Sequence, residues 1–195
     1  MRAPVTYRAH RTADRCRSAG AGFKRRRPER PGVFEPSGPW SPEQTRDYLE
    51  ERTVPVRVAT RTPGGRLWML SLWYLFRDDA LWCATSASAD LVAFLEDDPG
   101  VAFEVSENEP PYMGVRGSAE AALSPDEDKS LLRELIARYL GGTDSSLARR
   151  LLDGEREEVR IRIEPTRTHT WDYSERMRDA LADAEAGTGG TGDGE

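Results

Sequence analysis

The chain has 195 residues and a formal net charge of −6, enough for one domain of moderate size with an apolar core. Two cysteines (Cys16, Cys83) and two histidines (His10, His169) supply neither a disulfide framework nor metal-ligand spacing, so free thiols and no metal are expected. The longest apolar stretch, Leu67 to Phe76, stops at Arg77-Asp78-Asp79; it falls short of the roughly 18 to 20 residues of a membrane span, and a cytoplasmic protein is expected.

The charge is unevenly spread. Residues 1–30 hold ten basic and two acidic side chains (+8), leaving 18 basic against 32 acidic in the remainder (−14). Of the basic residues only Lys24 and Lys129 are lysines. An acidic, lysine-poor body fits a salt-adapted, halophilic protein whose carboxylates keep its surface hydrated.

Residues 1–38 show no helical or strand period and are rich in Arg, Pro, Gly and Ser, so they read as a disordered tail. A solvated tail, a phosphate-contacting arm and a targeting peptide are the competing readings. Salt screening of the arginines argues against nucleic acid as a partner, and no apolar segment suits a secretory signal. The domain is expected over residues 39–175, and a flexible acidic, Gly-rich tail over 176–195.

Ser41-Pro42-Glu43-Gln44 opens a helix to about Arg52, with Ser41 and Gln44 forming a capping box. Tyr48 and Leu49 give it a small apolar patch, suited to closing a barrel end. Val54 to Arg61 alternates as a strand. Arg66 to Arg77 reads as one long strand with two apolar faces (Leu67, Met69, Trp73 and Leu75 on one; Trp68, Leu70, Leu72, Tyr74 and Phe76 on the other). Each face needs a cover: the barrel interior for one, a second subunit or a planar ligand for the other. Ala80 to Thr85 is a strand and Asp90 to Asp97 a short helix. Gly100 to Val105 and Tyr112 to Leu123 are further strands, the second with Gly114 and Gly117 marking bends or a close backbone approach. Ser124-Pro125-Asp126-Glu127 starts another helix ending at Gly141-Gly142, and Ser145 to Asp153 is a short one. Glu157 to Ile163 is a half-buried strand, interrupted by Pro165, and Thr168 to Tyr173 is the last. Together these describe an α+β protein built on an antiparallel six-stranded split β-barrel with short flanking helices.

Thr85, Ser86 and Ser88 lie between a strand and a helix start, where hydroxyls and free amides can hold an anion. Ordinary capping by Ser88 or Asp90 explains the same residues, and the Asp90 carboxylate would repel a phosphate. Trp68, Trp73, Trp82 and Trp171 are either a stacking set for a planar ring or packing residues. There is no nucleophile motif, P-loop or dinucleotide fingerprint, no identifiable catalytic acid or base, and no contiguous basic cluster for a substrate phosphate.

The order of these segments resembles the pyridoxamine 5′-phosphate oxidase–like split barrels, a group with FMN-binding and F420-binding branches. The likeness runs through PVRVATRTPGGRLWMLSLWYLFRDDALWCATSASADLVAFLEDDPGVAFEV, then Tyr112 to Glu120 (YMGVRGSAE), then Ile163-Glu164-Pro165 and Thr170 to Tyr173 (TWDY). It spans about residues 42–175. The resemblance implies a homodimer with cofactor clefts between subunits and an oxidoreductase acting on a small molecule. It implies that Met69, Leu70, Ser71, Leu72 and Trp73 face the ring edge, and that Thr85, Ser86 and Ser88 hold the cofactor phosphate. Arg116 and Trp171 are implied to approach from the partner subunit. FMN is the cofactor implied first and F420 the alternative. Ala89 and Asp90 stand where flavin-binding members carry Lys or Arg, and Ser71 stands where a basic residue is common. That departure favours a third reading, a non-catalytic flavin- or haem-binding, or cofactor-free, dimer.

Overall fold

The computed structural model describes residues 34–178. Residues 1–33 of the tail expected over 1–38, and residues 179–195 of the one expected over 176–195, lie outside them.

Seven antiparallel strands form one sheet: β1 (Val56–Arg61), β2 (Leu67–Leu72), β3 (Leu75–Arg77), β4 (Ala80–Ser86), β5 (Gly100–Ser106), β6 (Met113–Pro125) and β7 (Glu158–Asp172). Their order is β2-β1-β5-β6-β7-β4-β3. The two edges, β2 and β3, are separated in the chain by only Trp73 and Tyr74. Leu72 and Leu75 are three Cα steps apart, at most about 11 Å, so the sheet curls back on itself, although β2 and β3 do not pair. The long strand expected over 66–77 is thus two strands, one on each edge, and the count is seven rather than six.

Period-two alternation builds the interior. Val56 and Val58 of β1, Val101, Phe103 and Val105 of β5, Val115 and Ala119 of β6, and Ile161 and Ile163 of β7 all turn inward. Helix α1 (Pro42–Glu51) adds Tyr48 and Leu49 to this core, and α2 (Asp90–Asp97) adds Leu91 and Leu95. The capping box of α1 forms as expected: Gln44 N–H donates to Ser41 Oγ at 3.1 Å and Ser41 N–H to Gln44 Oε1 at 2.9 Å.

Three boundaries move for identifiable reasons. Helix α3 (Ser130–Leu140) starts six residues beyond Ser124. Asp126 N–H instead donates to Glu158 O at 2.8 Å, prolonging the sheet contact. The buried Asp126 carboxylate accepts from Leu132 N–H at 3.1 Å and pairs with Arg160, so it caps the helix from a distance. Pro165 does not end a strand: β7 runs through it. There, Ala119 pairs with Pro165 while Ser118 pairs with Arg167, leaving Thr166 as an extra, bulged residue. Pro165 also lies just past Ile163, the last β7 residue paired with β4, so its missing N–H costs the sheet no ladder bond on that side. Finally, residues 34–38, assigned to the tail by composition, pack on the domain. Phe34 is buried with its ring 5.8 Å from that of Phe76. Ser37 N–H donates to Thr168 O at 3.0 Å and Thr170 N–H to Ser37 O at 2.8 Å, which covers the β7 edge left free by β4.

Helices α3 and α4 (Ser146–Leu151) form a second apolar cluster from Leu132, Ile136 and Ala148, with Trp73, Ala84, Leu151 and Leu152 against it.

Candidate functional site

Residues of alternating parity to the core project from the outer face of β2, β1, β5, β6 and β7. Strand register sets them in two lateral rows. One runs Ser71, Arg57, Glu104, Arg116, His169; the next runs Met69, Ala59, Ala102, Ser118, Arg167. Neighbours in such a row stand about 5 Å apart. All of these except Ser71, with Phe103 and Gly117, line a pocket of about 590 Å³, within the range of small-molecule sites. Its floor is short because Ala59, Ala102 and Gly117 stand among longer side chains.

The charges around the pocket are differently engaged. Arg57 donates through Nη1 to Glu104 Oε1 at 3.3 Å and Ser106 Oγ at 2.9 Å, and through Nη2 to Asn108 Oδ1. Its charge is balanced by Glu104 within the sheet. Arg116 lies over the Trp171 indole, 5.2 Å from guanidinium carbon to ring centroid, a cation–π geometry. Trp171 in turn lies over Gly114, where a Cβ would come within 2.8 Å of its Cζ2. Both glycines of β6 mark close approaches, as expected: a Cβ on Gly117 would sit 2.0 Å from Arg167 O and 2.8 Å from the Phe103 ring.

His169 is oriented by the N-terminal segment. Ser37 Oγ lies 3.1 Å from Thr168 O and 3.1 Å from His169 Nδ1, which holds the ring in place. The ring's Nε2 has no protein partner among the described residues. Nearby, burial opposes ionisation of Asp172, but bonds from Ser174 and from Trp40 Nε1 outweigh it and hold the carboxyl below its usual range.

The expected site residues divide into groups. Met69 lines the pocket, Ser71 stands in the row beside Arg57, and Arg116 and Trp171 lie against each other on the same outer face. Leu70 and Leu72 turn inward onto the core. Trp73 leaves the sheet face and stacks on Tyr139 of α3, with centroids 5.2 Å apart and planes 11° apart. The four tryptophans are dispersed: Trp68 meets Phe94 edge-on at 6.0 Å, and Trp82 lies between Arg77 and Arg162.

Thr85 and Ser86 end β4, opposite Val159 and Glu158, and Ser88 follows in the turn; none of the three lines the pocket. The donors of this loop are largely used. Ala87 N–H goes to Glu157 O at 3.0 Å, Ala89 N–H to Ser86 O at 3.0 Å, and the Ser86 and Ser88 hydroxyls bond each other at 3.0 Å. Neither Ser88 nor Asp90 caps α2; its N-cap is Ala89, with no side-chain bond. The Glu158 side chain opposite Ser86 is fully buried, paired with Arg156 through one oxygen, and its Oε2 has no partner among the described residues. A carboxylate on each side of the loop, Glu158 and Asp90, makes it a poor receptor for a phosphate dianion.

Arg57, Arg167, His169 and Ser118 complete the pocket without having been singled out as a set. Only the parity of 167, 169 and 171 along one strand points to them; their lateral neighbours follow from register.

No family model matches the chain, and no curated protein matches it. Solved structures do. A conserved hypothetical protein of Mycobacterium tuberculosis aligns with a TM-score of 0.57 at 22% identity, over 69% of this chain and 86% of its own. A protein described as an F420 reductase aligns with a TM-score of 0.52 at 23% identity, over 63% and 94%. The General Stress Protein 26 of Bacillus anthracis aligns with a TM-score of 0.50 at 13% identity, over 66% and 92%. At these identities the likeness is one of fold. No helix among the described residues is long and apolar enough to cross a membrane, and no group of His, Cys, Asp or Glu among them could hold a metal.

Proposed function

We propose that this chain is a homodimeric oxidoreductase of the pyridoxamine 5′-phosphate oxidase–like group, with a flavin-type cofactor, FMN first, and a small-molecule substrate. One observation carries the reading: β2 is an edge strand whose outward residues are bare, with Leu67 76% and Met69 68% exposed. The free side of an edge strand offers unpaired amides and carbonyls, suited to the polar rim of a flat heterocycle. Adjoining apolar side chains call for a cover that excludes water. A second subunit and a planar ring supply both. Hydride transfer is the chemistry a bound flavin contributes; the chain's part is to hold the ring, orient it and keep it dry.

F420 is the alternative cofactor, supported by the fold likeness to an F420 reductase. The non-catalytic reading, a flavin- or haem-binding or cofactor-free dimer, is favoured by the loop at 85–90, whose donors are engaged and whose flanks are acidic.

The visible spectrum of protein purified in high salt tests these readings. A band near about 450 nm supports FMN and one near about 420 nm supports F420, since the protein only positions the chromophore. Colourless protein that takes up neither on titration rules out the oxidoreductase. Sedimentation of Met69→Asp against wild type tests the cover: the variant is expected to be a monomer, and an unchanged dimer would show that another face pairs.

A further inference from the structure

The pocket holds two guanidinium groups whose charge no carboxylate balances among the described residues. Arg57 is balanced by Glu104, but Arg116 and Arg167 form no ion pair among the described residues. Both are exposed and both line the pocket, one row apart on adjacent strands. Ala59, Ala102 and Met69 line the same pocket in the row that holds Arg167, and they suit a flat apolar body rather than a second charge. His169 lines the same pocket, with Nε2 free of protein partners among the described residues. The loop at 85–90 has the opposite character, with its donors satisfied and carboxylates on both flanks.

We propose that the pocket on the outer face of β2, β1, β5, β6 and β7 binds flat organic anions, with Arg116 and Arg167 receiving the carboxylate or phosphate, and that the Thr85–Ser88 loop does not bind it. For the flavin reading, on which this part rests, the anionic end of the cofactor or of its substrate is held by Arg116 and Arg167. Arginine is suited to either group because its planar fork donates two parallel hydrogen bonds to a pair of oxygens.

The experiment is calorimetric titration of the full-length protein, as purified and after removal of any chromophore, with 2-naphthoate, 2-naphthyl phosphate and the uncharged 2-naphthylmethanol. FMN and riboflavin are titrated in parallel. Both anions are expected to bind at least about tenfold more tightly than the alcohol, the scale of one charge-assisted bond. Arg116→Gln and Arg167→Gln, checked for native circular dichroism, are each expected to weaken the anions about ten- to hundredfold and leave the alcohol unchanged. Ser86→Ala and Ser88→Ala are expected to change neither. Equal binding of anions and alcohol, or anion binding that survives both arginine replacements, overturns the proposal. So does loss of anion binding on the serine replacements alone. Arginine-dependent naphthoate binding without uptake of either flavin leaves the anion pocket standing and removes the flavin reading. Equal, arginine-independent binding of FMN and riboflavin does the reverse.

Discussion

The Trp73 indole stacks on the Tyr139 ring at 5.2 Å with the planes 11° apart. The Tyr139 hydroxyl also accepts from Tyr74 N–H at 3.3 Å and donates to Val54 O at 3.1 Å. One side chain of α3 therefore ties together the junction between the two sheet edges and the start of β1. Trp73 is committed to this packing, so the part of the 69–73 stretch left open is Met69 and Ser71. Tyr139→Phe keeps the stack and removes both hydroxyl bonds. It is expected to cost about 1 to 3 kcal/mol of stability, read by urea unfolding, while 2-naphthoate affinity stays at the wild-type value. A parallel loss of affinity would show that the junction shapes the pocket directly.

Local chemistry was legible where it acts within a few residues. Ser41 and Gln44 marked the first turn of α1, and the alternating valines of 56–58 marked the inward face of β1. Asp97-Asp98-Pro99-Gly100 marked the stop of α2. What sequence could not supply was the relation between distant strands. Arg57, Arg116, Arg167 and His169 are separated by up to 112 positions and become neighbours only through register, which the Thr166 bulge shifts by one residue. The absence of a contiguous basic run therefore said nothing about a basic pocket. The 66–77 stretch misled in a related way: its continuous apolar character hid a change of strand at Trp73-Tyr74, where the chain crosses from one edge of the sheet to the other.

The segment at 34–38 is expected to contribute to stability. Phe34 is buried against Phe76, with Arg46 over its ring at 5.1 Å. Phe34→Ala removes a whole aromatic side chain and is expected to cost about 3 to 5 kcal/mol. It should also loosen Ser37 from His169, detectable as faster amide hydrogen exchange at Thr170, whose N–H bonds Ser37 O. A change under about 0.5 kcal/mol, the level of an ordinary surface substitution, would mean that the segment only rests on the domain.

Burial favours the protonated forms of Tyr48, Tyr74, Tyr139 and the Cys83 thiol, and together these groups shape the alkaline limb of stability. Burial pushes Tyr48 up to about 12, and burial raises Tyr74 as well. Above about pH 10 the phenols ionise in the unfolded chain while the folded one keeps its protons, so stability falls as pH rises. For Tyr48 the loss runs from about pH 10 to about 12. Tyr74→Phe also removes bonds to Leu49 O at 2.9 Å and Arg52 O at 3.3 Å, costing about 1 to 3 kcal/mol at neutral pH. Its fall between pH 10 and 11 should be shallower than wild type by up to about 1.4 kcal/mol per pH unit. Denaturant unfolding across that interval measures it, and parallel curves would contradict the assignment.

The acidic body predicts a salt response. Residues 31–195 carry 32 acidic against 18 basic side chains, and like charges at this density repel in the folded state. Raising potassium chloride from roughly 0.1 M to roughly 2 M shortens the screening length to a few ångströms. The thermal midpoint should rise by several degrees over that range. A flat or falling midpoint would argue against salt adaptation.

Gly117 couples the fold to the pocket. Its Cα lies under the Arg167 carbonyl, and an added Cβ would stand 2.0 Å from that oxygen and 2.8 Å from the Phe103 ring. Neither neighbour has room to yield: the carbonyl is main chain at the β7 bulge, and Phe103 is 3% exposed in the core. Thr166 Oγ1 donates to Ser118 O at 3.0 Å, which fixes the bulge at this spot. Gly117→Ala must therefore separate β6 from β7 between the rows that hold Arg116 and Arg167. Overpacking of this kind costs about 1 to 3 kcal/mol. Because the displaced strand carries Arg167, 2-naphthoate should bind more weakly in the folded variant, while 2-naphthylmethanol, which depends on the floor at Ala59 and Ala102, should lose less. Unfolding and titration of the same sample separate the two effects. Destabilisation with unaltered anion affinity would show that the two guanidinium groups adjust independently of the backbone, and that Gly117 serves the core alone.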